Sequence, residues 1–230
     1  MAELLKWDQT GERFYETGVK KCVLYLQNSS GAYPEGVAWN GITAITESPS
    51  GAEANPVYAD DMKYLNLYSA EDFGATIEAL AYPEEFADCN GEEELVADSG
   101  VYIGQQERKT FGLCYRTILG NDVQGDDYGY KLHIIYGAKA SPSEQAYNTV
   151  NDSPEPMTFS WEITTVPVEV AGFKPTAHLV IDSKKINSAK LTALETILYG
   201  TAATTGTNAA AAVNARLPLP DEIKTILSSN

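Results

Sequence analysis

The chain has 230 residues, 43% of them hydrophobic, which supplies one large core and excludes global disorder. Its formal net charge is −16, from 32 acidic against 16 basic side chains, which argues against a basic patch for nucleic acid or for an anionic membrane. Three widely spaced Cys and two His, with no CxxC and no HxxxH spacing, argue against a disulfide framework and against a structural zinc site.

The N-terminal "MAELLKWDQTGERF" lacks an apolar signal core. No stretch reaches the ~18 apolar residues of a membrane span. A soluble product made in the cytoplasm is expected. The 14 Tyr and 11 Pro lean towards β structure. "VKKCVLYLQ" (19–27) and "GVAWNGITAITE" (36–47) read as strands. "MKYLNLYS" (62–69) and "GATIEALAY" (74–82) alternate and read as strands with one face packed. "YPEEFADCNG" (82–91) reads as a helix, opened by Pro83 and stopped by Asn90-Gly91.

Strands follow at 100–106 and 110–120, then a Gly- and Asp-rich turn at 120–129. A strand over 130–140 leads to a polar loop over 141–156. Strands over 157–170 and 176–182 come next. "SAKLTALETILYG" (188–200) reads as the best helix, with Ser188 as N-cap and a Leu191, Leu194, Leu198 stripe. A low-complexity loop (201–213) and a short helix (217–227) complete the chain. The fold class is mainly β: a β-sandwich or partly closed barrel of antiparallel strands with a flanking α-helix. Residues 1–200 are assigned to one domain and 201–230 to a C-terminal extension.

Catalytic signatures are scarce. Gly125-Asp126-Asp127 reads as an acid-rich turn. Asp60-Asp61 and Glu92-Glu93-Glu94 lack the ligand spacing of a calcium loop and read as solvated surface. His133 and His178 read as ordinary strand residues with satisfied rings. GxSxG, GxGxxG and GxxxxGK[ST] are absent. No enzyme, no metal and no cofactor is therefore expected.

Two features stand out. Residues 47–98 carry 14 acidic side chains opposed only by Lys63, so −13 of the total −16 falls in under a quarter of the chain. Within that region "TESPSGAEANPVYADDMKY" (46–64) is too long for an ordinary hairpin connection of ~2–5 residues and has no clean period.

The succession "WDQTGERFYETGVKKCVLY" (7–25), "NPVYADDMKYLNLYSAEDFGATIEALAYPEEFADCNG" (55–91) and the long segment from Phe111 to Val170 resembles the major tail protein of siphophages of Gram-positive bacteria. "LETILYGT" (194–201) and "ARLPLPDEI" (215–223) fit the same family. The resemblance implies a structural virion protein, a tail tube subunit assembling into hexameric rings stacked as a tube. It implies a tape-measure protein and tail chaperones as assembly partners, and phage DNA passing through the lumen without specific binding. It implies a stacking loop between two inner strands, here Pro49, Gly51, Pro56, Tyr58, Asp60 and Asp61. Glu47, Lys63 and Glu78 are the candidate lumen residues. Location in the virion, after synthesis in the host cytoplasm, follows from the same resemblance. The alternative is a β-sandwich virion module for a receptor or carbohydrate, using Trp7, Trp39 and Trp161. Deleting 49–59 is expected to leave a folded subunit that stacks poorly, as negative-stain micrographs would show.

Overall fold

The computed structural model describes residues 4–97, 99–150, 152, 155–203 and 211–228. In chain order the strands are β1 (Phe14–Leu26), β2 (Gly36–Trp39), β3 (Ile42–Glu47), β4 (Ser50–Gly51), β5 (Ala54–Ala59), β6 (Met62–Tyr68), β7 (Glu71–Asp72) and β8 (Gly74–Ala79). A 3-10 turn (Glu84–Phe86) runs into α1 (Ala87–Asn90), which ends at Gly91 with φ of 78°. There follow β9 (Glu93–Glu94), β10 (Tyr102–Ile103), β11 (Phe111–Asn121), β12 (Gly125–Ala140), β13 (Phe159–Thr165), β14 (His178–Asp182), α2 (Ser188–Tyr199) and α3 (Pro220–Ser228).

Eight strands form one antiparallel sheet in the order β2-β1-β11-β12-β13-β8-β3, with β14 added to the flank of β12. The sheet folds over itself without closing. Two glycines make the bend. At Gly41 (φ 84°) the chain leaves β2, which pairs with β1, and enters β3, which pairs with β8. The segment 36–47, expected as one strand, is therefore two strands on opposite leaves. At Gly137 (φ 60°) β12 kinks away from β11 towards β13, and a Cβ there would lie 2.2 Å from the Val166 carbonyl oxygen.

Alternation divides the apolar side chains between two layers. Cys22 and Leu24 of β1, Phe111, Leu113 and Tyr115 of β11, and Ile135 of β12 face inward between the leaves. There they meet Ala75, Ile77 and Ala79 of β8 and Trp161 and Ile163 of β13. Trp161 is fully buried, with edge contacts to Phe86 at 5.0 Å and Tyr82 at 5.5 Å, and its Nε1 donates to Asn90 Oδ1 at 3.1 Å. The intervening residues Val23, Tyr25, Leu132, Ile134 and Tyr136 face the other way, against α2 and α3. Tyrosine hydroxyls tie that second layer to backbone: Tyr25 donates to the Leu198 carbonyl at 2.6 Å and Tyr136 to the Pro218 carbonyl at 2.8 Å. All three Cys are buried free thiols, and burial pushes Cys89 and Cys114 up to about 12.

Several boundaries differ from the sequence expectations. The turn expected over 120–129 shrinks to Asp122-Val123-Gln124, whose backbone is held in part by Asn121 Oδ1, and Gly125-Asp126-Asp127 opens β12. The 157–170 strand stops at Thr165 and the 100–106 strand shortens to Tyr102–Ile103. Asn187, rather than Ser188, caps α2, accepting from the Ala189 N–H at 2.9 Å. Part of the 201–213 loop lies outside the described residues. Beyond it, Leu217 and Ile223 share a layer with Leu191, Leu194 and Leu198, so α3 packs as part of the same body as α2.

Truncating Ile223→Ala is expected to cost about 2–4 kcal/mol in denaturant unfolding, as for a core residue of the main body. Near it, the Arg216 guanidinium donates to Glu222 and holds that carboxyl below its ordinary 4.5. A depressed folded pKa gives stability that is present above the unfolded value and lost as pH falls through the folded one. The stability difference between wild type and Glu222→Gln should thus be seen at neutral pH and shrink as pH drops below 4.5.

Candidate functional site

The long connection at 46–64 is part of a hairpin arm. β4 pairs with β7 at its base, and β5 pairs with β6 beyond. The tip is Asp60-Asp61, with φ of 50° and 58°, the all-positive backbone of a two-residue I′ turn. Asp tolerates that region better than most residues. At the base Gly51 has φ of 81°, and a Cβ there would lie 2.4 Å from the Ala70 carbonyl oxygen. The expectation that β6 packs one face is overturned. Neither core layer takes any residue from Ser48 to Asp72.

Register sorts the arm's two faces. Val57 pairs with Leu65 and Asn55 with Leu67, while Ala59 pairs with Met62, which puts an aliphatic set on one side. Tyr58 and Tyr68 stand on the other, with Pro56, Asn66 and Lys63. The shift between Val57 and Tyr58 leaves Tyr64 as the extra residue. Tyr58, Tyr64 and Met62 are 63–69% exposed. A lone two-stranded ribbon is marginal in water, and contiguous exposed apolar surface marks interaction sites.

The six residues expected in a stacking loop all lie on this arm. Pro49 is at its root, Gly51 in its base, Pro56 and Tyr58 on β5, and Asp60 and Asp61 at its tip. Lys63 sits beside the tip, opposite Tyr58. The other two lumen candidates part company. Glu78 stands on β8 opposite Ser160 and Ala44, pointing away from the core. Glu47 pairs with Ala75 and turns inward, where its Oε1 accepts from the Tyr115 hydroxyl at 2.6 Å.

The outward face of β3, β8 and β13 carries Thr46, Thr76, Glu78, Ser160, Glu162 and Thr164 and no basic side chain. The outer edge of β3 pairs with no strand among the described residues. Most of the acidic run lies off this face. Glu53, Asp60, Asp61, Glu71 and Asp72 ride on the arm, and Glu84, Glu85, Asp88 and Glu92–Glu94 line the excursion before β11. In that excursion Tyr102 donates to Glu84 at 2.9 Å, and the bond pushes the phenol up to about 12. Trp39 and Trp161 are core residues, which leaves Trp7 as the exposed indole.

No protein-family model matches the chain, and no curated protein does. Among solved structures it is similar to a chain in the cryo-EM structure of the anti-feeding prophage (AFP) baseplate, 6-fold symmetrised. The TM-score is 0.36 and the identity 9%, over 77% of this chain and 97% of that one. A likeness of that strength carries no functional weight. The arm, the bare edge and the outward face carry it instead.

Since the arm adds nothing to either core layer, excising the whole hairpin Pro49–Asp72 is expected to leave a cooperative fold. Its Tm, followed by circular dichroism, should move by only a few degrees, about the effect of ~1 kcal/mol. Removing 49–59 alone would strand β6 without its partner, so the whole hairpin is the unit to cut.

Proposed function

We propose that this chain is a structural virion subunit that self-assembles through its arm into stacked rings, forming a tail tube for phage DNA. One observation carries the reading: an exposed apolar hairpin rises between two adjacent strands, β3 and β8, of a leaf with one edge unpaired among the described residues and an outward face whose one basic side chain is Lys139, at its border on β12. Docking the arm's aliphatic face on the next ring would bury Val57, Leu65 and Leu67, each worth ~1.5–3 kcal/mol when fully covered. Pairing the β3 edge with a neighbour in the same ring would continue the sheet and remove an edge that otherwise invites aggregation. Hexameric rings are the multiplicity that the family resemblance implies.

In this arrangement the outward face of β3, β8 and β13 becomes the lumen wall. Glu78 and Glu162 would repel phosphate over about a Debye length, ~8–10 Å. Affinity for DNA grows with the Lys and Arg that displace its counterions, and β3, β8 and β13 offer none, the nearest being Lys139 opposite Thr164. The role is mechanical rather than catalytic. A tape-measure protein and chaperones would be its assembly partners, and the assembled tail its location. The carbohydrate-binding alternative is less well supported, because two of its three indoles are sequestered in the core.

Negative-stain microscopy of the concentrated protein should show rings or tubes, and the arm-excised variant should give rings without tubes. A chain that stays monomeric at every concentration would sink the proposal. A Glu78→Lys/Glu162→Lys double variant should form tubes that retain duplex DNA at low salt and release it as salt rises, while wild-type tubes retain none.

A further inference from the structure

Both His of the chain converge on one carboxylate. β12 and β14 are antiparallel neighbours in which His133 pairs with Val180 and Ile135 with His178, so the two rings are diagonal neighbours on one face. Glu47, the last residue of β3, reaches them from the opposite leaf. His133 Nδ1 lies 3.1 Å from Glu47 Oε1, His178 Nε2 lies 3.6 Å from the same oxygen, and the two nitrogens are 3.4 Å apart. A tetrahedral ion with bonds of about 2.0–2.1 Å holds its ligand atoms about 3.3–3.4 Å from one another. These three atoms have the dimensions of one face of that tetrahedron.

Hydrogen bonding fixes how His133 is presented. Thr117 Oγ1 gives its single proton to Glu16 Oε1 at 2.5 Å, so towards His133 Nε2, at 3.1 Å, it accepts. Nε2 therefore carries the hydrogen of the neutral ring, and Nδ1 turns a lone pair towards Glu47. A lone pair that close to a carboxylate oxygen is repulsive unless a proton or a metal cation lies between them. The Thr117–Glu16 pair, with Lys131 on Glu16 at 2.5 Å, is the outer support that ligating histidines typically have. Stacking holds both rings in place: Tyr115 lies on His133 at 4.7 Å and Phe73 on His178 at 4.5 Å. A cavity of about 310 Å³, lined by Glu71, Phe73, Pro175 and His178 among others, opens beside the cluster.

We propose that Glu47, His133 and His178 bind a divalent transition-metal ion of the zinc class, with one coordination position left towards that cavity. Two imidazoles and a carboxylate suit such an ion better than they suit calcium or magnesium. The local spacing rules used on the sequence miss this site because its ligands come from three strands. Its place in the fold gives it a task. Glu47 is at one root of the arm, and Phe73, stacked on His178, is at the other. A bound ion would pin the base of the arm to β12 and β14, whatever the arm docks against.

The test is a Zn²⁺ titration of the full chain in competition with a chromophoric chelator, repeated on His178→Ala and Glu47→Gln. Both side chains are partly exposed, and far-ultraviolet circular dichroism checks that each variant is folded. Glu93→Gln, in the acidic excursion, serves as the control. The expected result is one ion per chain, bound at least about tenfold more weakly by either site variant and unchanged in the control. Co²⁺ in place of Zn²⁺ should give visible absorption of a tetrahedral centre in wild type alone. Equal affinity in wild type and site variants, or no saturable binding up to about 1 mM, would overturn the proposal and assign the cluster to a shared proton.

Discussion

The rest of the molecule depends on one sheet folding over Trp161. That ring is fully enclosed, and its single polar atom is satisfied by Asn90, so it can sit at the centre without an orphaned donor. Around it Trp39, Tyr82, Phe86 and Phe159 come from three different segments. The two leaves can meet there only because Gly41 and Gly137 adopt positive φ at the bends. Once they meet, both roots of the arm are fixed, since β3 and β8 are neighbours in the same leaf. The position of the arm is therefore a consequence of core packing and owes nothing to contacts made by the arm itself.

Local patterns revealed much of this. The alternation of Ile77 and Ala79 marked β8 as a strand with one face packed, and the leucine stripe of α2 marked a helix against a core. The same logic failed in the arm. Residues 62–69 alternate as well as any strand in the chain, but alternation reports only that two faces differ, and here both are wet. The strand over 36–47 was divided by a glycine whose φ cannot be read from composition. The convergence of Glu47, His133 and His178 was invisible for a different reason. It needs the β12–β14 pairing and the folding of the leaf that holds β3 and β8, both of which are long-range.

The helical layer shows how a β-sheet protein accommodates a polar ceiling. Tyr25 and Tyr136 present rings to the apolar layer and hydroxyls to carbonyls of α2 and of the segment before α3. The Leu198 carbonyl, in the last turn of α2, would otherwise need water at a buried helix end. Tyr33 plays the same part at the bend itself, its hydroxyl accepting from the Gly137 N–H at 2.9 Å. The kink that joins the leaves is thus hydrogen-bonded through a side chain of the loop between β1 and β2, and the two core layers meet at that atom.

The aspartates at the hairpin tip have a further consequence. A flat, aromatic two-stranded ribbon with open edges is what an aggregating chain presents. Asp60 and Asp61 close that ribbon with two like charges, and Glu71 and Asp72 flank its base. They act as gatekeepers. In the proposed assembly, two free subunits approaching tip to tip would meet carboxylate before tyrosine, whereas a correctly offset neighbour would meet the flanks of the ribbon first. The charge that looks like surplus acidity in the sequence would thus work, in that assembly, as colloidal insurance, keeping adhesive surfaces apart until geometry brings them together in the right order.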